Sequence, residues 1–237
     1  MPISVTVLTS GGTSTDGAGP HSTASITPSA NKLILAAIAY AATVPAAPTT
    51  SGNGLTWVAI DSQTYNSGFA GVTLFRAMGA TPSAGAMSFD FTGATNNLGA
   101  SWVIFEVGGV DTSGTNGSGA VVQSAKGSGT GTTLTVTLGA FDALPNATVG
   151  VFGWDVNTDA NLGVGTGFTE VGRADTGGAE NISSLAEYLL GNDTSVDATN
   201  SASVAVGGIA IEVKASVAVS NPIIKVSGKS RVIVGGR

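Results

Sequence analysis

The single histidine of this 237-residue chain, His21, stands in a Gly-Pro-His-Ser segment. The chain has no cysteine and no second histidine, so neither a thiolate–imidazole couple nor a multi-histidine metal site can be assembled. A Ser–His–Asp triad would have to draw on this one loop residue, and no Gly-x-Ser-x-Gly elbow offers it a serine. Glycoside cleavage needs only two carboxylates, which makes Glu106 and Glu212 worth weighing. They occupy matching places in Ile104-Phe105-Glu106-Val107 and Ala210-Ile211-Glu212-Val213. Equivalence by repetition favours a structural role, such as capping a strand end or pairing with Arg76 or Lys214. Asp155-Val156-Asn157-Thr158-Asp159 has the oxygen spacing of a calcium loop, but Ala160 and Thr166 stand where that loop needs Gly and an acid. A turn held by side-chain hydrogen bonds is the better reading. The glycine-rich stretches carry no Gly-x-x-x-x-Gly-Lys phosphate cradle. No catalytic residue, metal site or cofactor is therefore expected, and the chain does not read as an enzyme.

The tryptophans could serve recognition instead. Stacking on a sugar needs one or two exposed rings beside polar groups. Phe152, Trp154 and Val156 share one strand face and read as core. Trp102 shares a face with Ile104 and Glu106, and Trp57 follows a Gly-Asn-Gly turn. Trp57 and Trp102 are thus the candidate glycan contacts, with packing in the core as the plainer alternative for both.

The elements that would position these residues are strands. Charged residues make up 10% of the chain and hydrophobic ones 42%, so Ser, Thr, Asn and Gly must supply the soluble surface. Those types favour turns and sheet faces over helices. Ser4-Val5-Thr6-Val7-Leu8 alternates with period 2, and Lys32–Tyr40 is a continuous apolar run suited to a central strand. Further strands are expected at Ala24–Thr27, Leu55–Ser62, Gly71–Met78, Ala86–Phe91 and Ala100–Val107. The stretch Pro45–Gly54 reads as a loop, and Ile182–Leu190, the nearest approach to an amphipathic helix, aligns with a strand of the repeat. Met1-Pro2-Ile3-Ser4 has no basic leader region, and Leu33–Val44 is too short to cross a bilayer, so secretion by a leader and membrane spanning are not expected.

The second half repeats the first weakly. Gly54–Val58 resembles Gly167–Val171, Thr73–Gly79 resembles Leu185–Gly191, and Asn31–Leu35 resembles Asn146–Gly150, each of the last two just after a proline. With the two glutamate segments, these matches keep chain order, as a tandem duplication would. The expected fold is all-β: two related, jelly-roll-like β-sandwich units at 1–112 and 113–215, followed by an extended arm at 216–237. The alternative is that the halves supply the two sheets of one large sandwich.

Charge is unevenly placed. Residues 1–214 hold all 15 acidic side chains and five of the nine basic ones, while the last 23 hold Lys225, Lys229, Arg231 and Arg237 and no acid. The sequence pI of about 4.5 argues against nucleic-acid binding. Ile223, Ile224, Val226, Val232, Ile233 and Val234 make the same segment strand-prone, so it reads as an arm that could pair with a sheet edge on another subunit. The low charge, the missing cysteine, the Gly/Thr/Ser-rich strands and this basic arm resemble tailed-bacteriophage virion proteins. Asn53-Gly54-Leu55-Thr56-Trp57 and Ser101-Trp102-Val103-Ile104-Phe105-Glu106-Val107 are similar to segments of phage decoration, fibre and adhesin-like sandwich domains. The resemblance implies a structural protein in the virion, assembled in the host cytoplasm: a capsid decoration or cement protein. Its partners would be the major capsid protein or neighbouring structural subunits, in a homo-oligomer such as a trimer, with neither nucleic acid nor membrane. The alternative is a tail or fibre module that binds a receptor or a glycan.

Overall fold

The computed structural model describes residues 2–17, 19–141, 146–178 and 180–217. The first half forms β1 (Ser4–Thr13), β2 (His21–Ile26), β3 (Leu33–Val44), β4 (Thr49–Gly52), β5 (Val58–Tyr65), β6 (Ala70–Ala77), β7 (Gly85–Asp90) and β8 (Thr95–Gly108). The second half forms β9 (Val121–Thr137), β10 (Ala147–Trp154), β11 (Leu162–Gly163), β12 (Thr169–Asp175), β13 (Ser183–Leu189) and β14 (Ser195–Val213). Among the described residues there is no α-helix, only two short 3-10 turns. The fold is all-β, as its composition requires. Ile182–Leu190 contains β13, and the expected loop Pro45–Gly54 contains the short strand β4. Thr49-Thr50-Ser51-Gly52 gives no hydrophobic signal because β4 lies at the rim of a small sheet.

Every strand pairing is antiparallel. The first half makes a five-stranded sheet, β1-β8-β3-β6-β5, and a three-stranded one, β2-β7-β4. In the second half β9-β14-β10-β13-β12 repeats the order of the larger sheet, strand for strand. The smaller sheet is repeated too, because β9 and β14 are long enough to cross both layers. Residues 133–137 of β9 pair with 195–199 of β14, which pairs in turn with β11. The registers define the correspondence. Leu35 faces Arg76 and Phe105, as Val149 faces Tyr188 and Ile211. Leu35 therefore answers Val149, one residue from the Asn31–Leu35 match expected from sequence. That residue matters, since a one-step slip would turn the strand inside out. β5 and β12 each carry a one-residue bulge at the equivalent place, Ile60 and Val171.

Three apolar layers hold the molecule together. Inside the first half, Ile34, Ile38, Tyr40, Trp102 and Ile104 of the large sheet meet Met87 and Phe89 of the small one and Phe91 just beyond it. Inside the second half, Phe152, Trp154, Leu185 and Val206 meet Val136, Leu162, Phe168 and Val196. Between the halves, the two large sheets pack face to face through Leu35, Leu74, Phe105, Val149, Val151 and Ile211. The halves are thus sandwiches in their own right that also supply the two central sheets of a larger stack. Burying one such side chain contributes about 1.5–3 kcal/mol, so the interface between the halves is a hydrophobic core of its own. β3 and β10, buried on both faces, are continuous apolar runs for this reason. Gly153 and Gly207 let the Tyr65 ring lie directly on the opposite sheet: a Cβ on Gly207 would stand 2.5 Å from the ring.

Candidate functional site

Residues 2–3 and 215–216 come together at one end of the stack. β14 runs out at Val213, and the next residues are fastened across the seam between the halves. The Lys214 N–H donates to the Ala120 carbonyl at 2.9 Å and the Asp111 N–H donates to the Lys214 carbonyl at 2.9 Å. The Ser216 N–H donates to Gly109 at 2.8 Å, and Ala215 bridges to Val110. The Lys214 ammonium lies 2.8 Å from Asp111. That contact and the Ser113 N–H push the Asp111 carboxyl down to about 2.

Two buried glutamates underlie this root. Glu106 on β8 is 4% exposed, and accepts from the Lys32 ammonium at 2.6 Å, the Ser29 N–H at 2.9 Å and the Ser29 hydroxyl at 3.0 Å. Burial alone would raise it, but these donors outweigh burial and hold it below the usual glutamate range. Glu212 occupies the equivalent place on β14 and is fully buried. The cation is replaced there by two amides, Gln123 at 2.6 Å and Asn146. Asn146 stands where the first half has Lys32, and its carbonyl oxygen accepts the Ala215 N–H at 3.1 Å. A chain of hydrogen bonds therefore runs from the buried carboxylate to Ala215, the residue just before the arm. The partners named for these glutamates from sequence are corrected: Glu106 pairs with Lys32 and not Arg76, and Lys214 pairs with Asp111 and not Glu212. Neighbours in space were chosen by the register of β3 and β10, which sequence spacing cannot give.

The surface around the root is grooved. A groove of about 290 Å³ is lined by Pro2, Ile3, Asn146, Leu190 and Ser216, and one of about 520 Å³ by Pro2, Asn31, Lys32, Val110 and Ser216. Leu190 is 60% exposed and Val217 68%, so the rim is apolar where the chain leaves it. The arm residues singled out from sequence, Ile223, Ile224, Lys225, Val226, Lys229, Arg231, Val232, Ile233, Val234 and Arg237, lie outside the described residues.

No known protein family, curated protein or solved structure matches this chain. Its function has to be argued from the geometry.

The proposed glycan contacts fare unequally. Trp102 is 6% exposed, under the three-stranded sheet and against Phe89, with ring centroids 5.2 Å apart. The face it shares with Ile104 is covered by β7, so it cannot offer a stacking surface; the small sheet that covers it was not legible from β8 alone. Trp57 is half-buried and donates its indole N–H to Gly52 at 3.3 Å. Trp154 is fully buried, as its shared face with Phe152 implied. His21 packs between Phe89 and Phe91 and contacts the Gly17 carbonyl at 3.2 Å. Among the described residues no three His, Cys, Asp or Glu side chains come together around a common point. One group escaped the sequence reading. Glu187 on β13 is fully buried, with one oxygen accepting the Gly165 N–H at 2.8 Å and the other unpartnered. Burial pushes it up to about 8, against the lowering effect of that N–H and with a smaller push from Asp197. The available signal was its alternation, since Glu187 takes an inward position in Leu185-Ala186-Glu187-Tyr188-Leu189.

Proposed function

We propose that this protein is a structural component of a virion, a capsid decoration or cement protein that docks through its C-terminal arm. The observation that carries the proposal is the arm root. Residues 214–216 are locked to both halves by backbone bonds and an ion pair, beside two grooves and an apolar rim. A segment that merely trailed off the last strand would need no such fastening; a segment that transmits load to a partner does. The arm carries four cations while residues 1–214 carry a balance of −10, so the arm complements an acidic surface, including that of another copy. Its β-branched residues suit strand addition to a neighbour's sheet edge. The partners would be the shell protein or adjoining subunits, in a homo-oligomer such as a trimer. The matched halves would be copies of one ancestral sandwich. The proposed role is a non-catalytic one, in which Glu106 and Glu212 are each engaged in holding their own half.

The test is removal of residues 218–237, which leaves the root intact. Full-length protein should co-sediment with the assembled particle and the shortened protein should stay in the supernatant. Equal binding by both would reject the arm as the docking element.

A further inference from the structure

We propose that the groove at the seam between the two halves is a binding site for a neutral saccharide. It is an open groove with a volume of about 320 Å³, near the lower end of small-ligand sites. Thr64, Asn66 and Ser67 line it from the first half, and Ser128 and Thr130 from the second, so the site exists only when both halves are folded together. It shares no lining residue with the grooves at the arm root and is independent of the docking proposal.

The ligand class follows from what the walls offer. Among the described residues, no charged side chain lines the groove. The nearest cation in sequence, Lys126, is committed to Asp61 at 2.7 Å and to the Ser62 carbonyl at 2.9 Å. A phosphate or carboxylate ligand would lack its counter-charge, and a metal ion would lack its carboxylates. The side chains at the walls are mostly hydroxyls and an amide, each able to donate and accept, which suits a ligand that is itself a dense array of hydroxyls. Gly68 and Gly129 let such a ligand approach the backbone.

A second observation singles out the turn. Asn66, Ser67 and Gly68 are consecutive residues in left-handed backbone, with φ of 52°, 53° and 87°. Asn tolerates this conformation and Ser does so at a cost. Backbone of this kind clusters at binding sites, and here it also makes the turn that joins β5 to β6. The residue that follows, Phe69, is 52% exposed and is the one exposed aromatic side chain among the described residues. It does not line the groove itself, but it directly follows the turn and provides a ring of the kind that stacks on a sugar.

Saturation-transfer NMR on the full chain with glucose, galactose, mannose and N-acetylglucosamine, extended to an array of neutral oligosaccharides, tests the proposal. At least one should give transfer. Ser128→Phe, at an exposed position, should fill the groove and abolish it. Asn66→Gly suits the left-handed backbone, so it should keep or raise the melting temperature while weakening binding at least about fivefold. That combination separates a ligand role from a structural one. No transfer from any saccharide overturns the proposal. So does transfer that survives Ser128→Phe, or that is lost with Trp57→Ala and retained in both groove variants.

Discussion

Replacing Glu187 by glutamine should make this protein less sensitive to alkali. The carboxyl is fully buried between Gly165, Gly150 and Val196, and its pKa is pushed up from 4.5 to about 8, by burial first. The folded state keeps a proton that the unfolded chain releases. Stability from this group is therefore fully present below about pH 4.5 and is lost as pH rises towards 8. The linkage slope is about 1.4 kcal/mol per pH unit, so the wild type should lose about 3 kcal/mol between pH 5 and pH 7.5. Glutamine resembles the neutral acid, with an acceptor for the Gly165 N–H and no proton to lose. The two proteins should agree within about 1 kcal/mol at pH 5, and the variant should be more stable by about 2–3 kcal/mol at pH 7.5. For a chain of this length that is about 4–12 °C in melting temperature. Urea melts of both proteins at several pH values between 5 and 7.5 give the comparison directly. A gap that stays constant across this range would refute the claim that folded Glu187 holds a proton.

Other substitutions probe the two kinds of contact on which the stack depends. Lys32→Met leaves Glu106 buried without its cation and should cost about 2–4 kcal/mol at pH 7 in urea unfolding, with Lys32→Met/Glu106→Leu regaining most of it. Because the folded Glu106 carboxyl lies below its usual range, its contribution is present above that range and lost as pH falls, so the Lys32→Met deficit should shrink below about pH 4. Gly207→Ala places a methyl carbon 2.5 Å from the Tyr65 ring and should destabilise by about 1–3 kcal/mol. In a Tyr65→Ala background most of that effect should vanish, as a double-mutant cycle would record.

Much of the strand inventory was legible along the chain because burial leaves a local mark. β3 and β10 face two cores at once and are apolar at nearly every position, while β1 and β9 lie at sheet edges and alternate. β4 and β11 left no mark, the first being short and polar and the second only two residues long, and were found only where their partners β7 and β14 placed them. The matching of the two glutamate segments was visible along the chain, and the registers place Glu106 opposite Ile34 and Glu212 opposite Thr148 at corresponding points of β3 and β10. The partners of the two carboxylates were not visible, because Lys32 and Asn146 lie on other strands and reach them only in the folded register. Trp102 illustrates the same limit: its alternation along β8 was readable, but the sheet that covers it comes from residues 21–26 and 85–90.

Composition and periodicity alone determined that this chain would be a set of antiparallel strands wrapped in hydroxyl-bearing side chains, with a basic, strand-prone end. Those are properties of residue type and spacing, which act within a few residues of where they are written. The face-to-face pairing of the two large sheets, the burial of Glu187 and the groove shared by residues 64–68 and 128–130 were decided by the tertiary structure. Each depends on which distant surfaces exclude water from one another, and that is a property of the assembled layers rather than of any one strand.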